Sequence, residues 1–208
     1  MKRPFAIVAA ASLALFVAAC GPGNPRFQAS DVTGVAFGRD FKLTDHNGKP
    51  RTLADFRGKV VVMFFGYTQC PDVCPTTLSD LAAALQKLGG DAARVQVLFV
   101  TVDPERDHGE ALRDFTAAFD RRLIGLTGSP EQVATAAQAL GIEDQKVLAG
   151  SDDYVIDHSA TLSLIGPDRR EAVTFAVAEP YRIAAKLIEV LANGGVALGD
   201  VNNLRAYR

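Results

Sequence analysis

The run Val60-Val61-Val62-Met63-Phe64-Phe65-Gly66 carries no polar side chain and leads within a few residues into Cys70-Pro71-Asp72-Val73-Cys74-Pro75. It is too short for a typical helix and rich in β-branched and aromatic side chains, so it is predicted to be a central strand buried on both faces. Beyond the cysteines, Pro75 suits the first helical position, and Leu78, Leu81, Ala82, Leu85 and Leu88 recur at helical spacing until Gly89-Gly90 stops the pattern. A strand, a loop holding two thiols and an amphipathic helix result.

The rest of the chain repeats this alternation. Arg94 to Val102 reads as a second apolar strand, and Asp107 with Glu110 resembles a capping box for a helix through Phe119. Leu123 to Leu126 reads as a short strand, and Ser129-Pro130-Glu131-Gln132 supplies an N-cap, a first-turn proline and a reciprocal cap for a helix to Gly141. Val147-Leu148 and Tyr154-Val155-Ile156 bracket a polar turn, Thr161 to Ile165 and Glu171 to Phe175 bracket Gly166-Pro167-Asp168, and Pro180 to Ala192 closes as a helix. Upstream of the central strand, Phe37 to Leu43 and Arg51-Thr52-Leu53 flank Asp45-His46-Asn47-Gly48, where Asn-Gly supplies the positive φ angles of a tight hairpin. The predicted fold class is α/β: a thioredoxin-like domain over 35–195, opened by a β-hairpin and carrying an inserted hairpin before the strand at 161, with 196–208 as a tail.

The chain has 208 residues, 48% hydrophobic and 22% charged, enough for a sizeable core and for one or two domains. Net charge is −2, charges of both signs are interspersed and no basic run occurs, so nucleic acid is excluded as an expected partner. Lys2 and Arg3 precede the apolar stretch Phe5 to Ala19, in the order of a secretory signal. As a helix that stretch spans roughly 22 Å, short of the ~30 Å hydrocarbon core. Val17-Ala18-Ala19-Cys20 resembles a bacterial lipoprotein signal, in which Cys20 is lipidated and becomes the mature N-terminus. The expected organisation is a signal over 1–19, a lipid-anchored flexible tether over 20–34 with Pro22, Pro25 and several glycines, and a domain facing the periplasm of a bacterial cell envelope.

With Cys20 assigned to the anchor, the remaining cysteines, Cys70 and Cys74, carry the chemistry. A disulfide across so short a loop stabilises by only ~2 kcal/mol on the chain-entropy argument, against ~3 for a fifteen-residue loop, so a reactive or metal-binding pair is the better reading. Cys74 falls at a helix start, where unpaired N–H groups favour the thiolate, and the prolines and Asp72 place the loop outside the core. A third donor must come from a histidine. His46 reads as a solvated turn residue, and His108 as an exposed first-turn residue. His158 stands in the loop entering the strand at Thr161, which in a thioredoxin-like fold faces the cysteine loop; thioredoxins carry a cis-proline there, whereas residues 142–166 contain no proline. Two thiolates and an imidazole suit copper(I), a further weak ligand would allow copper(II), and zinc is not excluded by ligand count. Asp72 and Asp157 could orient these donors.

These residues resemble the Sco/SenC family of copper-binding, thioredoxin-like assembly factors for cytochrome c oxidase. Phe64-Phe65-Gly66-Tyr67-Thr68 running into Cys70-Pro71-Asp72-Val73-Cys74-Pro75 is similar to the family's strand and cysteine loop, Val102-Asp103-Pro104-Glu105-Arg106-Asp107 to its second hallmark, and Asp157-His158-Ser159 to its distal ligand segment. The resemblance implies one copper ion on Cys70, Cys74 and His158. It also implies delivery of copper to, or thiol reduction of, the dinuclear copper site of oxidase subunit II, with a periplasmic copper donor and a thiol reductant as further partners. A thiol–disulfide oxidoreductase using Cys70 and Cys74 as the redox pair, and a redox or copper sensor, are the competing readings. The lipoprotein-like signal departs from the transmembrane anchor usual in the family.

Overall fold

In the computed structural model, residues 30–31, 41–142, 144–148, 154–158, 161–167, 172–176 and 187 are described. The expected signal, Cys20 and the C-terminal tail lie outside the described residues, as does the closing helix except for Leu187, which is helical and buried. The elements run β1 (Ser30–Asp31), a hairpin of β2 (Leu43–Asp45) and β3 (Pro50–Arg51), β4 (Val60–Gly66), α1 (Val73–Leu88), β5 (Val95–Thr101), α2 (Gly109–Ala117), β6 (Ile124–Thr127), α3 (Pro130–Ala139), β7 (Asp144–Leu148), β8 (Tyr154–His158), β9 (Thr161–Ile165) and β10 (Ala172–Ala176). Among the described residues these strands form an eight-stranded mixed sheet, ordered β1-β10-β9-β4-β5-β6-β2-β3, and a separate two-stranded sheet of β7 and β8.

The apolar run at 60–66 is the central strand. β4 pairs parallel with β5 on one side and antiparallel with β9 on the other, and every residue of β4 and β5 is buried. Phe64 and Phe99 lie 6.0 Å apart between ring centres, and Phe99 meets Phe115 of α2 at 5.4 Å, which ties that helix to the sheet. Burial of each such side chain contributes roughly 1.5–3 kcal/mol. The predicted box at the start of α3 is present: Gln132 N–H donates to Ser129 Oγ at 3.3 Å, and Ser129 N–H donates to Gln132 Oε1 at 2.8 Å. The inserted hairpin is also present as the β7–β8 pair, Asp144 opposite His158 and Leu148 opposite Tyr154.

Three local readings are corrected. Ser30 and Asp31, assigned to the tether, pair with Thr174 and Val173 at the edge of the sheet. Asp107 does not cap α2. His108 occupies the cap position in extended backbone, without a side-chain cap bond, and Asp107 turns inward. Finally, His46 is half-buried rather than solvated: its backbone N–H donates to Gly125 O at 2.9 Å and its Nδ1 accepts the Gly125 N–H at 3.1 Å.

The hairpin that carries His46 is held by Asp45. Its carboxylate accepts from Asn47 N–H at 2.9 Å, Lys49 N–H at 3.0 Å and Arg51 Nε at 2.8 Å, while Gly48 supplies the left-handed turn at φ 80°. Burial opposes the charge on Asp45, but these donors outweigh it and hold its carboxyl below the ordinary value. His46 moves the same way for a different cause. Burial lowers its pKa, Asp45 works against the shift, and Arg113 and Arg51 reinforce it. Because the unfolded chain then binds a proton more readily, His46 contributes stability that is complete above about pH 6.5 and is lost as the pH falls below it. Denaturant titrations between pH 5.5 and 7.5, in wild type and His46→Gln, check this: wild type should lose ground to the variant as pH falls, and parallel curves would contradict it.

Candidate metal centre

The parallel register of β4 and β5 brings two loops to one edge of the sheet. Gly66 stands opposite Thr101, and Val102 N–H donates to Gly66 O at 2.8 Å, so the cysteine loop and the segment 102–107 leave side by side. This is the carboxyl edge of the parallel strands, where open α/β sheets place their sites. β9 runs the other way, with Leu162 opposite Phe64, so it starts at that same edge. The chain entering β9 comes from β8, whose last residue is His158.

Both loop cysteines turn into the protein, while Pro71 and Asp72 between them are exposed. Cys70 N–H donates to Tyr67 O at 3.2 Å, and Cys74 N–H donates to Cys70 Sγ at 3.4 Å. The Tyr67 backbone N–H reaches the Cys74 sulfur, and the two thiols are hydrogen-bonded to each other. They are not joined as a disulfide. α1 starts at Val73, two residues before Pro75, so Cys74 lies within its first turn and has no exposed surface. Burial pushes the Cys74 thiol far above its ordinary value, the Cys70 thiol and Asp107 add to the effect, and the Tyr67 N–H works against it.

Backbone space for the Cys74 sulfur is provided by Gly66. A Cβ there would stand 2.7 Å from Cys74 Sγ and 2.9 Å from the Phe99 ring. The loop is anchored from below by Asp107, a fully buried residue 39 positions from Thr68. Its carboxylate accepts from Thr68 N–H at 2.8 Å, Thr68 Oγ1 at 2.5 Å and Thr101 Oγ1 at 2.8 Å. Asp103, also buried, accepts from Arg106 Nε, and the Arg106 guanidinium lies 6.0 Å from the centre of the Tyr67 ring. The Tyr67 hydroxyl in turn is hydrogen-bonded to the Ile156 backbone in β8. Segment 102–107 thus braces the cysteine loop, a role that sequence reasoning did not assign to Asp107, Arg106 or Tyr67.

Of the predicted site residues, Cys70 and Cys74 are brought together. His158 closes β8, paired with Asp144, instead of lying in a loop; its imidazole, like the Asp157 side chain, falls outside the described parts of the structure. Among the described residues no group of three histidine, cysteine or acidic side chains forms a metal cluster. His108 is exposed, as expected, and Asp72 is an exposed residue bonded at 3.4 Å by Thr76 Oγ1. Gly66→Ala should destabilise the domain by about 1–3 kcal/mol, the usual consequence of overpacking, because neither β4 nor the Phe99 ring is free to retreat. Denaturant unfolding checks this, and a change within about 0.5 kcal/mol, ordinary for a surface site, would contradict it.

Comparison with known proteins bears on this arrangement. The family model for SCO1/SenC matches residues 30–193. Protein SCO2 homolog, mitochondrial, of Mus musculus is 45% identical over 137 residues, covering 62% of this chain and 52% of that protein. The structure of Bradyrhizobium japonicum ScoI with copper bound matches with a TM-score of 0.69 at 39% identity, over 75% of this chain and 100% of that one. The crystal structure of Arabidopsis thaliana ScoI with copper bound matches with a TM-score of 0.71 at 31% identity, over 76% and 99%. The chain spans about half the length of the curated relatives it matches. The sheet order, the paired cysteines at its carboxyl edge and a family match over most of the sequence agree: this chain belongs to the SCO1/SenC family, on a thioredoxin-like α/β fold.

Proposed function

We propose that the chain is a membrane-tethered copper chaperone, with Cys70 and Cys74 as thiolate ligands, His158 as the third ligand and one copper ion as cargo. The observation that carries this reading is the pair of thiols, not joined as a disulfide, buried side by side at the sheet edge from which β9 also starts. Soft sulfur donors favour copper(I), and the imidazole suits either oxidation state. The copper-bound ScoI structures from Bradyrhizobium japonicum and Arabidopsis thaliana support the same cargo. Transfer proceeds by ligand exchange to the dinuclear copper site of cytochrome c oxidase subunit II, whose own donors replace the thiolates one at a time. Lipidation at Cys20, with 21–29 leading to the domain, holds it beside the membrane on the periplasmic side.

Thiol–disulfide exchange is the less favoured use of the same pair. Attack on a disulfide needs an accessible sulfur, whereas Cys74 has no exposed surface. His158→Ala separates the two functions. Copper affinity, read by chelator competition, should fall by more than the roughly 10–100-fold that follows loss of an outer partner, while exchange with a small disulfide is retained. Sulfur-to-copper charge transfer in the copper(II) form should weaken and shift in Cys70→Ser and in Cys74→Ser, and vanish when both cysteines are replaced. An unchanged affinity in His158→Ala would overturn the ligand assignment.

A further inference from the structure

Tyr67 touches both the cysteine loop and β8, the strand that ends at His158. Its main chain serves the cysteines: the carbonyl accepts from Cys70 N–H at 3.2 Å, and the N–H reaches the Cys74 sulfur. Its side chain serves β8: the hydroxyl is hydrogen-bonded to the Ile156 backbone, two residues before His158 along the strand, a separation of about 7 Å. The ring between them is buried, at 3% exposure, and the Arg106 guanidinium, itself bonded to buried Asp103, lies against it. β8 belongs to the two-stranded sheet and not to the central one, so among the described residues its ladder partner is β7 alone. The Tyr67 hydroxyl is a tertiary bond that joins this separate hairpin to the cysteine loop.

We propose that Tyr67 is a positioning residue for the copper centre, its hydroxyl setting where the strand that bears His158 stands relative to the two sulfurs. The inference rests on the ligand assignment proposed above. Phenylalanine fills the same volume without the hydroxyl, so Tyr67→Phe removes the bond to Ile156 and leaves both main-chain contacts with the cysteines in place. The loss of one hydrogen bond of ordinary net strength corresponds to about a three- to tenfold change in an equilibrium constant.

The test is a double-mutant cycle on the full chain, with copper affinity measured by chelator competition in wild type, Tyr67→Phe, His158→Ala and the double variant. Tyr67→Phe is expected to weaken copper binding about three- to tenfold in wild type, and by less than about twofold when His158 is already absent. Electron paramagnetic resonance of the copper(II) form gives a second readout: the nitrogen hyperfine pattern should change in Tyr67→Phe while the sulfur charge-transfer band persists. An equal loss in both backgrounds would show a general structural effect and overturn the proposal. So would an unaltered affinity in Tyr67→Phe where His158→Ala weakens binding, which leaves the ligand assignment standing. If His158→Ala itself binds copper as wild type does, the ligand assignment fails and takes the positioning role with it.

Discussion

The parallel pairing of β4 with β5 is the constraint on which the site depends. Its register ends with Gly66 opposite Thr101, so the loop carrying Cys70 and Cys74 and the segment carrying Asp103, Arg106 and Asp107 emerge as neighbours. Only then do Thr68 and Asp107, 39 positions apart, meet at hydrogen-bond distance. A one-residue slip would reverse the facing of a strand that is apolar throughout and separate these loops. The apolar uniformity of 60–66, which makes the strand central, thereby also determines which two loops form the floor of the site.

Burial then decides the chemistry. An exposed cysteine pair on the oxidising side of a membrane would be drawn toward disulfide formation, and a helix N-terminus would sharpen the reactivity of Cys74. The structure instead withdraws both thiols from water, and desolvation holds the Cys74 proton tightly. The absence of a side chain at Gly66 permits that withdrawal, since a methyl group there would occupy the space next to the sulfur. Such a pair is suited to a soft cation, whose bonds to sulfur compensate for the lost hydration of the thiolates.

How much of this was legible in the sequence depends on whether the controlling contact is local. The buried strands, the apolar face of α1 and the Ser129–Gln132 cap were read correctly, because spacing within a few residues determines each. The two cysteines were singled out by their shared loop. His46, Asp107 and Tyr67 were misread or passed over, because their partners Gly125, Thr68 and Ile156 are distant in sequence. Asp107 misled in a specific way: an acid three residues before Glu110 mimics a capping box, yet the two threonines at the sheet edge compete for its oxygens and win. The signal that could have found it is the apolar strand ending at Thr101, which places the next acids beside the cysteine loop.

The central claim is that two sulfurs from one loop and an imidazole from β8 converge on a single copper ion. X-ray absorption at the copper edge of the loaded protein tests it most directly. The account predicts a first shell of two sulfur scatterers with the outer-shell signature of one imidazole. A shell containing a single sulfur, or two sulfurs with no imidazole signature, would contradict it.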